Sequence, residues 1–196
     1  MEEEHMPGCE EALAKLLAGN KRFVEARLSH PHQDAEQRVS LGSGQAPFAA
    51  VLACADSRVP PEVLFDQGLG DLFVVRVAGN IINDQLLGSL EYAVAHLDTP
   101  LIMVMGHTSC GAIGAVAQGA ELEGHMASLV PAIQPSVDKV RGMEGDLTDN
   151  AAREIAKMTA EQLRSSDPVL APLVAAGKLK VVASFYELES GQIKLL

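Results

Sequence analysis

Four short, almost uninterrupted apolar runs constrain this chain more than any other feature: FAAVLAC at 48–54, DLFVVRV at 71–77, LIMVM at 101–105 and LKVVASF at 179–185. A strand with one wet face alternates apolar and polar residues. Runs without that alternation suit strands covered on both faces, as in a parallel sheet. Helical patterning fills the intervals. The spacing predicts a helix over 84–96, with Asp84 at its start and Leu86, Leu87, Leu90, Val94 and Leu97 as the buried stripe. Strand, helix, strand alternation of this kind means an α/β fold with right-handed crossovers.

The remaining elements are weaker. Leu13, Leu16, Leu17 and Phe23 recur at helical spacing over 10–24, with Gly19-Asn20 as a weak point that could divide the helix in two. Residues 29–45 carry Pro31, Gly42 and Gly44 with no sustained period, as a surface connection does. Further helices are expected over 111–118, over 127–140 with Pro131 and Pro135 as interruptions, and over 150–164. Gly191 marks a turn that returns 192–196 as an antiparallel edge strand. With 196 residues, one domain is long enough to bury a core unaided. Its expected division is an N-terminal helical arm, 1–45, packing on the core or on a partner subunit, and a core, 46–196.

Charge excludes some functions. Asp and Glu number 26 against 15 Lys and Arg, a formal net charge of −11, which repels phosphate backbones and anionic lipid. No apolar run reaches the length needed to cross a bilayer. Neither a nucleic-acid nor a membrane partner is expected. The glycine-rich pieces at 42–44 and 68–70 lack the context of nucleotide loops. The opening Met1-Glu2-Glu3-Glu4 has no basic-then-apolar order, so the expected location is the cytoplasm, or the periplasm if a leader has been removed.

The three cysteines are too few for a disulfide framework. Cys54 ends the first apolar run, while His107 and Cys110 follow the third. All three can therefore converge at the carboxyl edge of one sheet, where open α/β sheets bind ligands. Thiolate and imidazole are favoured zinc ligands, and three protein ligands with one position left over is the catalytic pattern. Taken singly, Cys54 is an ordinary strand cysteine and His107-Thr108-Ser109-Cys110 an ordinary turn; their joint placement is what carries the reading. Asp56 and Arg58, two residues apart, can pair in fork geometry. Asp56 is then a fourth zinc ligand, or a hydrogen-bond acceptor kept off the metal by Arg58, or half of a plain surface ion pair.

CADSRVPPE at 54–62 and GHTSCGA at 106–112 resemble the two signatures of beta-class carbonic anhydrases, and LLAGNKRF, GQAP, GDLFVVRVAGN, SLEYAV and the FYELESG ending extend the resemblance along most of the chain. Residues 121–148 match nothing. The resemblance implies a Rossmann-like domain with a four-stranded parallel core, assembled as a homodimer or homotetramer. It also implies one zinc ion per chain on Cys54, His107 and Cys110, with Asp56 and Arg58 as the catalytic dyad. The substrate pocket of such enzymes lies at a subunit interface, and matching positions place Gln45, Phe73, Ala78 and Tyr92 there, Gln45 reaching over from the neighbouring chain. The implied reaction is reversible hydration of carbon dioxide to bicarbonate and a proton by zinc-bound hydroxide. Two thiolate ligands weaken the metal as a Lewis acid, so activity is expected to rise from neutral into alkaline pH. Some family members close the site by letting the aspartate bind zinc, with bicarbonate held in a pocket that needs a tryptophan. This chain has no Trp, so an open resting site without that switch is expected. Hydrolysis of carbon disulfide or carbonyl sulfide on the same scaffold, or a noncatalytic zinc protein, are the alternatives.

Five residues stand outside this reading. His30 and His32 are expected as a solvated pair, His96 near a helix end favours the helix dipole, Cys9 is expected as an unpaired thiol, and His125 receives no role.

Overall fold

A computed structural model describes residues 7–196. The reading of the acidic opening residues lies outside them. Five strands form one sheet: β1 (Ala49–Ala53), β2 (Leu72–Arg76), β3 (Leu101–His107), β4 (Lys180–Tyr186) and β5 (Ile193–Leu195). Their order is β2-β1-β3-β4-β5, with β2, β1, β3 and β4 parallel and β5 antiparallel on β4. The α/β class, the four-stranded parallel core and the antiparallel edge strand are as expected.

Among the described residues eight α-helices flank the sheet: α1 (Cys9–Val24), α2 (Ala35–Ser40), α3 (Pro61–Leu64), α4 (Asp84–His96), α5 (Gly111–Ala117), α6 (Val130–Val140), α7 (Leu147–Arg164) and α8 (Leu170–Ala175). The central strands are buried on both faces, which explains their unbroken hydrophobicity. Ala49, Val51 and Ala53 of β1 and Leu101, Met103 and Met105 of β3 belong to a core shared with α1, α5 and α6. Ala50, Leu52, Ile102 and Val104 belong to a second core with α4 and α8, and α7 contributes to both. Among the described residues no helix is long and apolar enough to cross a membrane.

Several local expectations need correction. Helix α1 runs unbroken through Gly19 and Asn20. A Cβ at Gly19 would sit 1.7 Å from the Phe65 carbonyl oxygen, so glycine is required there by close packing rather than by a bend. The buried Asn20 amide donates to the Leu64 and Gly191 carbonyls and accepts from the Ile193 N–H, joining α1 to β5. Asn83, not Asp84, caps α4 by accepting from the Leu86 N–H. Helix α7 begins three residues earlier than the period indicated, because Asp146 caps it through the Asp149 N–H. Pro131 lies in the first turn of α6, where a missing N–H costs nothing, and Pro135 lies within the helix instead of ending it.

The 29–45 connection contains α2 and is anchored, not merely solvated. Buried Asp66 accepts from the Ser29 N–H, the Ser29 hydroxyl, the His30 N–H and Arg22. His32 Nδ1 lies 2.9 Å from the buried Asp71 carboxylate, so His32 is paired. Gly68 lets the chain pass: a Cβ there would meet the Pro31 carbonyl oxygen at 2.0 Å.

Candidate metal centre

The sheet brings Cys54, His107 and Cys110 together at its carboxyl edge. Cys54 directly follows β1, His107 is the last residue of the adjacent strand β3, and Cys110 caps the start of α5. All three are buried, and their ligand atoms lie within 4.8 Å of one another; among the described residues no other His, Cys, Asp or Glu cluster has this geometry.

The donor set fits zinc. The two sulfurs are 3.9 Å apart, close to the roughly 3.8 Å edge of a tetrahedron built on Zn–S bonds of about 2.3 Å. His107 Nδ1 pairs with the Thr108 carbonyl at 2.9 Å, while Nε2 is buried with no hydrogen-bond partner. An orphaned ring nitrogen facing two thiols is costly unless it donates its lone pair to a cation. Cys54 Sγ also accepts N–H groups from Asp56 at 3.4 Å and Gly79 at 3.3 Å. Its pKa is drawn down, first by the Cys110 thiol and then by His107 and these amides, against the opposing effect of burial. Cys110 is pushed up by its neighbour Cys54 and by burial. A dication that needs both thiolates must therefore displace a proton held between them.

Asp56 and Arg58 form a closed fork. Asp56 Oδ1 accepts the backbone N–H and Nε–H of Arg58, each at 2.9 Å, and Oδ2 accepts Nη2–H at 2.7 Å. The Arg58 contacts hold the Asp56 carboxyl at about 2, well below the usual carboxylate range. Arg58 Nη2 also donates to the Ser109 carbonyl at 3.1 Å, tying the dyad to the loop that carries Cys110.

Arg76 escaped the sequence reading. From the end of β2 it donates Nε–H to the Cys54 carbonyl at 2.9 Å and Nη2–H to the Asp56 carbonyl, pinning the turn between ligand and dyad. Its signal was a lone cation inside an apolar run. Gly79 was equally silent; its left-handed φ of 72° aims an amide at sulfur, and a Cβ there would touch Ile133 at 3.0 Å.

The expected pocket residues are not all gathered within one chain. Ala78 immediately precedes Gly79 and so lies beside Cys54. Phe73 of edge strand β2 and Tyr92 of α4 stand together, ring centroids 6.4 Å apart, and Tyr92 is 49% exposed. His96 stacks on Tyr92 at 5.1 Å. Gln45 is exposed at the other end of the sheet: it precedes β1, whereas Cys54 follows it, and the strand puts roughly 20 Å between them.

The family model described as carbonic anhydrase matches residues 49–193. A carbonic anhydrase 2 of Mycobacterium tuberculosis is 40% identical over 92% of this chain and 89% of its own length. A Coccomyxa beta-carbonic anhydrase, solved with acetazolamide, is 27% identical with a TM-score of 0.73 over 94% of this chain and 86% of its own. A tetrameric beta-carbonic anhydrase of Sordaria macrospora shares the fold, with a TM-score of 0.75, 24% identity and coverage of 95% and 97%.

Proposed function

Because this chain belongs to the beta class of carbonic anhydrases, we propose that it hydrates carbon dioxide reversibly at a zinc ion held by Cys54, His107 and Cys110, with Asp56 and Arg58 as the working pair. The observation that carries this is the orphaned His107 Nε2 facing two sulfurs 3.9 Å apart. Bound there, zinc supplies Lewis-acid activation of a water molecule.

The chain's own groups do the rest. Asp56, kept ionised by Arg58, accepts a hydrogen bond from the attacking water and so orients its lone pair toward the substrate carbon. The Asp56 and Gly79 amides share the charge on Cys54 Sγ. Two anionic sulfurs reduce the acidifying power of the metal, so turnover rises from neutral into alkaline pH. The grip of Arg58 on both carboxylate oxygens supports a resting site in which Asp56 is off the metal. A chain without Trp is read as lacking the bicarbonate switch that uses one.

Gln45, Phe73, Ala78 and Tyr92 are read as the apolar pocket and its amide, completed across an interface between two copies of this chain. Residues 1–45 are then the arm that carries Gln45 to its neighbour, and a homodimer is the smallest active unit. The tetramer described for the Sordaria relative is one way to repeat that unit.

Stopped-flow hydration of carbon dioxide, run with zinc analysis on the wild type and on Cys54→Ser, tests the proposal. Wild type should carry one zinc and turn over, and the variant should lose both, since a hydroxyl replaces a soft anionic ligand poorly. Full zinc with normal turnover in Cys54→Ser would remove that ligand from the assignment. Carbon disulfide offered in the same instrument separates hydration from hydrolysis on the same scaffold.

A further inference from the structure

The loop between β3 and α5 is held from both sides. Thr108 donates its N–H to the Tyr186 carbonyl and accepts the Leu188 N–H on its hydroxyl, each at 3.0 Å. Ser109 is tied to a different element: its N–H donates to Asp149 Oδ1 at 2.8 Å, and Asp149 belongs to the first turn of α7. The carbonyl of the same Ser109 accepts Arg58 Nη2–H at 3.1 Å, and Arg58 grips Asp56.

We propose that Asp149 is a positioning residue for the Arg58–Asp56 pair: by holding the Ser109 backbone it fixes the carbonyl on which the guanidinium rests, and with it the direction in which Asp56 faces the metal site. The inference rests on the roles proposed above for Asp56 and Arg58.

Three observations carry it. Ser109 has a left-handed φ of 53°, a conformation a non-glycine residue keeps only when its surroundings enforce it. Cavities of about 560 and 670 Å³ adjoin this point, and Ser109 and Asp149 contribute to the walls of both, so hydrogen bonds rather than packing define the turn. The Arg58 side chain is 50% exposed, and a planar fork bound only to Asp56 could swing with it as one body. The Ser109 carbonyl is the contact that anchors the fork to the ligand-bearing loop. The competing account is that Asp149 merely places negative charge at the start of α7.

The variants separate the two accounts. Asp149→Asn keeps an acceptor oxygen for the Ser109 N–H but loses the charge; Asp149→Ala loses both, and Asp149→Leu, which also has no acceptor, replaces it should Ala not fold. In zinc-loaded protein, kcat should fall about tenfold in Asp149→Ala with KM unchanged, and return to within about twofold in Asp149→Asn. Adding Asp149→Ala to Arg58→Ala should cost nothing more, because the first substitution acts through the second residue. Apart from turnover, solvent exchange of the Arg58 Nε–H, followed by NMR with or without zinc, should quicken about tenfold in Asp149→Ala and stay unchanged in Asp149→Asn. Equal losses in the Asn and Ala variants, no loss in Ala, a loss that persists in the Arg58→Ala background, or unaltered Arg58 exchange in Ala would each overturn the assignment. A wild-type chain that hydrates no carbon dioxide strikes the proposed activity instead, and the exchange measurement still judges Asp149.

Discussion

Arg58 meets Asp56 with three hydrogen bonds, its own backbone N–H and Nε–H on one carboxylate oxygen and Nη2–H on the other, so both oxygens are engaged on the side facing Arg58. The carboxyl is held at about 2 by these contacts. Because the folded value lies below the ordinary one, the stabilisation from this pair is complete above the usual carboxylate range and is lost progressively as pH falls from that range through about 2. Asp56 is therefore ionised throughout any range in which the enzyme works, and the alkaline rise in turnover proposed above must originate elsewhere.

Replacing Asp56 with Asn should leave zinc content unchanged and lower kcat by about 100-fold or more, because an amide nitrogen donates where a carboxylate accepts. Metal analysis beside stopped-flow kinetics checks both halves. Turnover close to wild type would reduce Asp56 to an ion-pair partner.

Gln45 and Cys54 lie at opposite ends of β1, so the proposed pocket needs two chains. Gln45→Ala protomers retain the metal ligands, and Cys54→Ser protomers retain Gln45. Each should be weak alone, while co-refolded mixtures should regain about a quarter of wild-type activity, from one restored site in the half of the dimers that are mixed. Activity no greater than the sum of the separate variants would place Gln45 outside the site.

Gly106 precedes His107 on β3, and a Cβ there would lie 2.4 Å from the Ala152 carbonyl oxygen on α7. Gly106→Ala should force the strand and helix apart and destabilise the chain by about 2–3 kcal/mol. Thermal unfolding should register this as a fall of about 5 °C or more; a midpoint within about 1 °C of wild type would show that the helix gives way freely.

Asp66 is buried, which opposes its charge, yet the Ser29 amide, Arg22, the Ser29 hydroxyl and the His30 amide hold its carboxyl well below the usual range. The stabilisation is thus present above the unfolded carboxylate range and disappears in acid. Asp66→Asn should cost about 2–4 kcal/mol at pH 7, and the gap from wild type should narrow as pH falls below about 4. Denaturant unfolding at several pH values measures this, and a pH-independent gap would contradict it.

The strands and the convergence of Cys54, His107 and Cys110 were legible because both depend on local signals: β1 and β3 are wholly buried, and Cys54 just after β1 and His107 at the end of β3 fall at one edge of a parallel sheet. What was not legible depends on partners distant in sequence. Gly19 and Asn20 look like a break in a helix until the Phe65 carbonyl and the turn at Gly191 occupy the space beside them. His32 looks solvated until Asp71 is brought alongside. Helices α2, α3 and α8 have four to six residues each, too few to display a period. Asp149 has no signal of its own, since its partner is a backbone N–H presented by the left-handed turn at Ser109.

The two sulfurs are 56 positions apart along the chain yet 3.9 Å apart in space. A zinc ion held by both, as proposed, would be a removable cross-link: it would tie β1 to the start of α5 and close a long loop that the unfolded chain otherwise leaves free. Metal starvation would then do more than silence the enzyme, since the same chain without its clasp would open more readily at the middle of its sheet and be cleared sooner by proteases. Abundance of this protein in a cell would follow zinc supply even where its synthesis does not.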